Sequence, residues 1–477
     1  MSSRKSNEEK KPATTNSSAD SGSPVEISVK NVRRPDLMMD ANISAVSIPC
    51  MQVKDGKLSG FWKHYSREGT IRKVRPIEPK LTLQTGEEYL LSPLPGEPTQ
   101  STVNKLAGWS PESRANWEKG EPAPTTGETL RAIAQLIDQL IAFPPNASVQ
   151  HGLVLSAWVM MTYIYPALPA LPYLYFSGPP GSGKTRTMDV LARLAFRPMM
   201  TGNLTAAALF RSRHANGGTL LFDEAERLNE RKSESVSELR SILLSGYRRG
   251  ASADRMEYVK DKWETRSFDF YGPIAIGCIS GLPPALYSRC INVRMMRAAE
   301  GSVQASLALD DLAIQFAETR DMLHRWALEH GHDAATLTLG NSSLSNRNAE
   351  LWDPLRKIVA HTGDTQALEL LTNHAIESSS IAAESVQPSY DRAILAALYS
   401  IRASGEAPTA SQILALAEQL DPDLASCGFK PRMVGSVLRN YFDPPKKSNG
   451  DSVWRTPPNE IKELAKRYGY NLPGDNQ

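Results

Sequence analysis

Cysteine is scarce in this 477-residue chain: the four present, Cys50, Cys278, Cys290 and Cys427, stand far apart and form no CxxC pair. That spacing gives neither a zinc knuckle nor a disulfide framework, and it fits a reducing, cytoplasmic compartment. Excess charge is lacking too. With 54 Lys and Arg against 52 Asp and Glu the formal net charge is +2, so no global field draws in polyanions and any nucleic-acid surface has to be a local patch. The opening MSSRKSNEEKKP has no apolar run, which excludes a secretory signal there. The one long uncharged stretch, from Gly152 to Gly183, is cut by Pro166, Pro169 and Pro172. It therefore reads as a helix over 153–165, a linker, and a short buried strand over 173–176, and no membrane partner is expected.

What is present divides into blocks. Residues 1–42 are rich in Ser, Thr, Asn, Lys and Pro, cannot bury enough surface to offset ordering entropy, and are expected to be a disordered tail. Residues 43–126 read as a small mixed α/β domain, with β-like pieces over 59–65 and 80–85 among turn formers. Leu130, Ile133, Ala134, Ile137, Leu140 and Ile141 recur at helical spacing. Over 127–298, strands predicted at 173–176, 198–202, 219–222, 273–279 and 291–295 alternate with helices, the pattern of a parallel sheet wrapped by helices. Residues 299–383 read as a helical lid or linker, and 388–477 as helix, helix, helix, hairpin, helix.

The chemistry concentrates in two segments. Gly178-Pro179-Pro180-Gly181-Ser182-Gly183-Lys184-Thr185 matches the phosphate-loop pattern (Walker A), whose glycines turn backbone N–H groups toward phosphates. Lys184 is expected to meet the β- and γ-phosphates, Thr185 to give its hydroxyl to Mg2+, and the following helix to direct its positive end at the anion. Arg186, next on that helix, is grouped with the nucleotide contacts. Thr219 to Glu224 is an apolar strand ending in two carboxylates, the Walker B pattern. There Asp223 is expected to hold the metal and Glu224 to orient and deprotonate water. By themselves Asp223 and Glu224 read equally as acidic residues opening a helix. The cofactors implied are ATP and Mg2+, and the activity is an ATPase.

These stretches resemble the AAA+ class, and more closely the helicase-like ATPase domains of phage and mobile-element primase-helicase proteins, which are related to the MCM type. The resemblance is carried by 203–211, 219–228, 238–250, 271–294 and 346–355, and covers roughly 128–470. It implies a P-loop (ASCE/AAA+) parallel sheet wrapped by helices, a helical lid, and members that act as hexameric rings. It also implies a trans arginine finger, for which Arg289 is the first candidate and Arg248 with Arg249 the rivals. Arg347, entering a lid helix, looks like a sensor-2 arginine, and Ser280 falls where the class usually carries a sensor-1 asparagine.

Two places are expected to touch nucleic acid. Residues 255–271 read as a hairpin before the sensor strand, with Lys260 and Lys262 near its tip, positioned for phosphates or simply solvated. The C-terminal order of helices and hairpin is that of a winged helix, and between Lys430 and Tyr470 nine basic residues face four acidic ones. Lys430, Arg432, Arg439, Lys446, Lys447 and Arg455 are its candidate DNA contacts, although such a module also docks proteins. The function expected is an ATP-driven DNA helicase or translocase of a mobile genetic element, a homo-oligomer acting on single-stranded or forked DNA. The alternative is a nucleotide-switched regulator or defence component. A fused primase is disfavoured, since 43–126 shows no acidic metal-binding cluster.

Overall fold

The computed structural model describes residues 32–33, 37–76, 80–82, 88–91, 99–100, 108–145, 147–178, 180–230, 233–259, 262–279, 281–340, 344, 346–386, 389–421, 424, 430–439, 441–448, 451–467 and 472. Of the tail expected over 1–42, residues 1–31 and 34–36 lie outside them, as do Pro179, Lys260 and Ser280 among the candidate residues, whereas Leu37–Met39 is a buried strand rather than tail, because its apolar run pairs with the strand that follows.

At the N-terminal end, β1 (Val32–Arg33) pairs with β7 (Glu88–Leu91), which also pairs with β6 (Lys80–Thr82). A second, antiparallel sheet runs β2 (Leu37–Met39), β3 (Ile43–Lys54), β4 (Lys57–Glu68), β5 (Ile71–Pro76). The piece expected at 59–65 lies inside the longer β4; of that expected at 80–85, β6 holds 80–82, and 83–85 lie outside the described residues. The longest of the missed elements is β3, which pairs along its whole length with β4. The turn between them is Asp55-Gly56, both at positive φ (52° and 72°), the backbone a two-residue type I′ hairpin turn demands.

The helix Thr126–Leu140 starts at a capping box in which Thr125 and Glu128 exchange hydrogen bonds, and it buries Ile133, Ile137 and Leu140. Such a cap contributes about 1 kcal/mol. It lies against the uncharged Ser148–Thr162 helix, buried along most of its length, as a central element without charge should be. Among the described residues no helix is long and apolar enough to cross a membrane.

The five strands expected from the sequence form one parallel sheet. They are β8 (Tyr173–Ser177), β9 (Pro198–Thr201), β10 (Thr219–Phe222), β13 (Ile274–Gly277) and β14 (Cys290–Arg294), in the order β14-β8-β13-β10-β9. β8, β10 and β13 are apolar runs buried almost throughout, as strands covered on both faces are. Between β10 and β13 in sequence, β11 (Ser252–Val259) and β12 (Lys262–Asp269) make a separate antiparallel hairpin. β13 is shorter than the 273–279 expected because Pro273 has no N–H to give; its carbonyl instead accepts from Leu220 N at 3.0 Å.

Helices Ala313–Thr336, Asn346–Ala360 and Thr365–Val386 follow. One hydrophobic core joins the N-terminal sheet, the parallel sheet and these helices, from Leu37 to Ala375. A second core, from Ala393 to Leu472, is built by helices Ser389–Ala403, Ala410–Leu420, Pro431–Arg439 and Pro458–Arg467, with the short hairpin Lys446–Ser448 and Asp451–Val453 beside Trp454. A capping box opens the second of these helices: Thr409 N donates to Gln412 Oε1 at 2.8 Å and Gln412 N to Thr409 Oγ1 at 3.3 Å.

Candidate functional site

Every strand of the parallel sheet points the same way, so the loop after β8 and the carboxylates after β10 emerge at one edge, with β13 between them. Two strand spacings separate β8 from β10, roughly 10 Å. The first residue of the loop, Gly178, has φ 149°, and a Cβ there would stand 2.8 Å from both Met295 O and Ser182 Oγ. No other residue fits that position. Gly183 closes the loop at φ 93° and caps the helix Lys184–Leu194, whose N-terminus therefore opens onto the loop. Lys184, only 8% exposed, donates from Nζ to Gly178 O at 2.7 Å and Ser182 Oγ at 3.4 Å, so the ammonium is held over the centre of the loop.

The two segments meet through a hydrogen bond. Thr185 Oγ1 donates to Asp223 Oδ2 at 2.8 Å. Asp223 Oδ1 accepts from Glu224 N at 3.0 Å, which fixes the carboxylate's second oxygen. This arrangement needs a missing side chain on the intervening strand: a Cβ added to Gly277 would lie 2.6 Å from Asp223 Oδ1. Glu224 adopts left-handed backbone at φ 55°, a conformation that costs a non-glycine residue on the order of 1 kcal/mol. It separates the two acids: Asp223 faces Gly277 of β13, whereas Glu224 Oε2 lies near Gly202 beyond β9 (3.7 Å from a built Cβ). Among the described residues the exposed Glu224 carboxylate has no hydrogen-bond partner. Arg186 lines the space beside the loop, while its Nε donates to Leu140 O at 2.9 Å and its Nη2 to Leu307 O at 2.5 Å.

Sequence reasoning missed a cavity of about 650 Å³ alongside the loop. Gly181, Gly183 and Thr187 form one wall, Leu140 and Ile141 the second, Met295 and Arg297 the third. The three walls come from segments far apart in the chain, so no local signal announces them.

The candidate arginines are elsewhere. Arg289 O accepts from Tyr173 N at 3.1 Å, so Arg289 stands at the start of β8, while the loop begins at its end. That is roughly 16 Å at about 3.3 Å per strand residue. Its guanidinium donates to Leu244 O at 2.7 Å and to Ala285 O, and covers the Tyr247 ring at 5.2 Å. Burial, and then the neighbouring Arg347, lower its pKa. Arg347, exposed at the start of the Asn346–Ala360 helix, donates to Ser288 Oγ at 3.1 Å. Arg347 is therefore adjacent to Arg289 rather than to Lys184. Arg248 is paired with Glu350 at 2.6 Å and Arg249 donates to Pro166 O at 2.9 Å. All four gather at the sheet edge opposite the loop, and none reaches it within one chain.

In the β11–β12 hairpin Lys262 is the first residue of β12, paired with Val259 across the tip, and its side chain is not described. The base is anchored by Phe210 against Phe268 at 4.9 Å. Toward the tip, Met256, Tyr258 and Trp263 are 58%, 60% and 66% exposed, and Tyr258 and Trp263 face each other across the strands at 5.4 Å. The expectation named only the lysines; the aromatic pair was visible in the alternation of the same residues. In the C-terminal segment Lys430, Arg432, Arg439, Lys446, Lys447 and Arg455 are all exposed.

No family model matches the chain, and no curated protein matches it. Three solved structures follow a loosely similar course, all at low identity and low TM-score. The C-terminal region of NrS-1 has 10% identity over 82% of this chain and 93% of that one, at a TM-score of 0.36. The active helicase Cch of SCCmec type IV has 10% identity over 90% and 95%, at 0.35. An MCM homolog from Methanopyrus kandleri has 13% identity over 70% and 76%, at 0.29. These likenesses are too weak to carry a role to this chain, whose chemistry follows from the site itself.

Proposed function

We propose that the chain binds ATP at the 178–185 loop and hydrolyses it, and that the energy drives movement on DNA. The observation that carries the ATP reading is the 2.8 Å bond from Thr185 Oγ1 to Asp223 Oδ2, with the preceding Lys184 Nζ held in the loop by Gly178 O. A hydroxyl and a carboxylate paired at a helix N-terminus are the hard oxygen donors that magnesium takes alongside phosphate oxygens and water. The side-chain space vacated at Gly277 keeps that pair in place, so the residues fit the ion. Bound there, magnesium would spread the charge of the β- and γ-phosphates. Lys184 and the backbone N–H groups of the loop bind and orient the triphosphate. The base fits the cavity walled by Leu140, Ile141 and Met295. Glu224, unpartnered and one residue from the metal ligand, is the group to accept a proton from the attacking water after a turn away from Gly202.

Arg289 and Arg347 serve a different role in this reading. Adjacent, cationic and some 16 Å from their own loop, they are placed to meet the triphosphate of a second copy, which makes a closed ring the working form. The hairpin with Tyr258 and Trp263, together with Lys260 and Lys262, is the element proposed to grip a single strand. The 389–467 helices and hairpin are read as a winged helix whose six exposed basic residues add affinity for duplex or forked DNA. The helical segment after 299 is proposed as the lid or linker of the ATPase.

The test is the ATPase rate of the purified chain with and without forked DNA at low salt. Stimulation by the fork, lost in Glu224→Gln while ATP is still bound, supports the reading. A rate indifferent to DNA favours a nucleotide-switched regulator, and equal turnover in Glu224→Gln removes that residue as the base.

A further inference from the structure

A second cleft, remote from the loop, lies where the N-terminal sheet meets the Pro111–Glu118 and Ala313–Thr336 helices. Its volume is about 620 Å³, within the range of small-ligand sites. Three cations line it, and among the described residues none has an acidic partner. Lys63 lies over the Tyr65 ring, at 5.7 Å. Arg114 donates to Ser110 O, Cys50 Sγ and Tyr65 OH, none of them a carboxylate, at 3.3, 3.1 and 3.3 Å. Arg320 donates to Arg193 O at 2.8 Å. Of the two acids in the lining, Asp321 is already occupied by Ser110 N at 2.8 Å and Ser110 Oγ at 2.5 Å, and Glu118 is exposed at the rim. The apolar lining is aromatic: Phe61 half-buried, Tyr65 and Trp109 at 2% and 1% exposure.

Partly buried cations without counter-ions are costly unless an anion completes them. Rings beside those cations suit a flat, π-bearing ligand, through stacking and cation–π attraction. We propose that this cleft takes a phosphorylated nucleoside, as one unit of a single strand or as a free nucleotide, its ring against Phe61 and its phosphate between Lys63 and Arg114. The site does not rest on the ATP reading. It shares no residue with the loop or the hairpin, and it is built by strands and helices of the N-terminal sheet side. Arg320 links it onward, because Arg193 belongs to the helix that begins at Lys184.

The experiment uses the full chain with its loop saturated by unlabelled ADP and magnesium. A fluorescein-labelled dT oligomer containing 4-thiothymidine is titrated by anisotropy across salt, then photocrosslinked, with thymidine 5′-phosphate and an oligoglutamate peptide as competitors. The expected result is a crosslink within 57–68 or 108–118 that persists when Tyr258 and Trp263 are both changed to Ala. Lys63→Gln should flatten the slope of log affinity against log salt by about 0.7, the value for one phosphate contact on a single strand. Phe61→Ala should weaken binding by about tenfold, the loss of one stacked base. Lys63→Gln is the decisive variant, since Lys63 makes no polar contact that folding requires, and its melting temperature should match the parent. Displacement by thymidine 5′-phosphate identifies a free-nucleotide site, and its failure to compete identifies a strand site. Crosslinks confined to other segments, an unchanged salt slope in Lys63→Gln, or displacement by oligoglutamate alone would overturn the proposal.

Discussion

Replacing Gly277 by alanine tests the metal-holding pair without touching either member of it. A Cβ at that position would lie 2.6 Å from Asp223 Oδ1, 3.6 Å from Asp223 Cγ and 3.4 Å from Met188 Cε. The first distance is roughly 0.8 Å inside ordinary contact, and the neighbour that must give is a charged carboxylate anchored at both oxygens. Rotating Asp223 away sacrifices the 2.8 Å bond from Thr185, the 3.0 Å bond from Glu224 N, or both. A hydrogen bond to a charged group is worth about 1.5–3 kcal/mol, so metal affinity in the nucleotide complex should fall roughly 10- to 150-fold. Mn2+ binding to the protein with a non-hydrolysed ATP analogue, followed by electron paramagnetic resonance, reads this directly. Gly202→Ala is the control, because its Cβ would come only to 3.7 Å from Glu224 Oε2 and 3.9 Å from Asp223 O. Equal Mn2+ affinity in Gly277→Ala and the parent would refute the assignment of Asp223 to the metal.

Four further outcomes are expected. Glu224→Gln should lower kcat by at least about 100-fold, the contribution of a positioned base, with ATP binding retained in a filter assay. Arg289→Ala should be inactive alone, yet regain part of its turnover when mixed with Lys184→Ala, because one of the two kinds of hybrid interface then pairs an intact loop with an intact arginine; no recovery on mixing would remove the role in trans. Changing Tyr258 and Trp263 to Ala should weaken single-strand binding by about 1–3 kcal/mol per stacked base lost, with DNA-independent ATPase rate unchanged, as anisotropy and a coupled assay would show. Stability should fall with acid: burial lowers the pKa of His64 and His151 to about 4 and of His324 to about 3, against 6.5 when unfolded. The neutral forms belong to the folded chain, so their contribution is complete above 6.5 and is lost toward 3–4, by about 1.4 kcal/mol per pH unit for each histidine. A melting temperature that is flat from pH 7 to pH 5 would contradict this burial.

The phosphate loop was legible because its residue types dictate its backbone: Gly178 and Gly183 adopt conformations that other residues resist, and Lys184 and Thr185 follow at fixed helical offsets. The five sheet strands were legible for a similar reason, each a short apolar run bounded by turn formers. The long β3–β4 hairpin was also written locally, in Asp55-Gly56, but Ile43–Lys54 mixes polar and apolar residues on a sheet buried unevenly, so the strand itself carried little pattern. What no local reading supplies is register. Arg289 looked close to the loop in role, yet its pairing with Tyr173 sets it at the far end of the strand. The cleft around Lys63, Arg114 and Arg320 is assembled from residues more than 200 positions apart and has no sequence signature at all.

The central claim is that one pocket grips a triphosphate through Lys184 and its metal through Asp223. Equilibrium binding of a fluorescent, non-hydrolysed ATP analogue, measured with magnesium and again with chelator, tests it most directly. The account predicts tight magnesium-dependent binding by the parent chain, loss of binding in Lys184→Ala, and loss of only the magnesium dependence in Asp223→Ala. Binding that is absent in the parent, or identical in all three proteins, would contradict it.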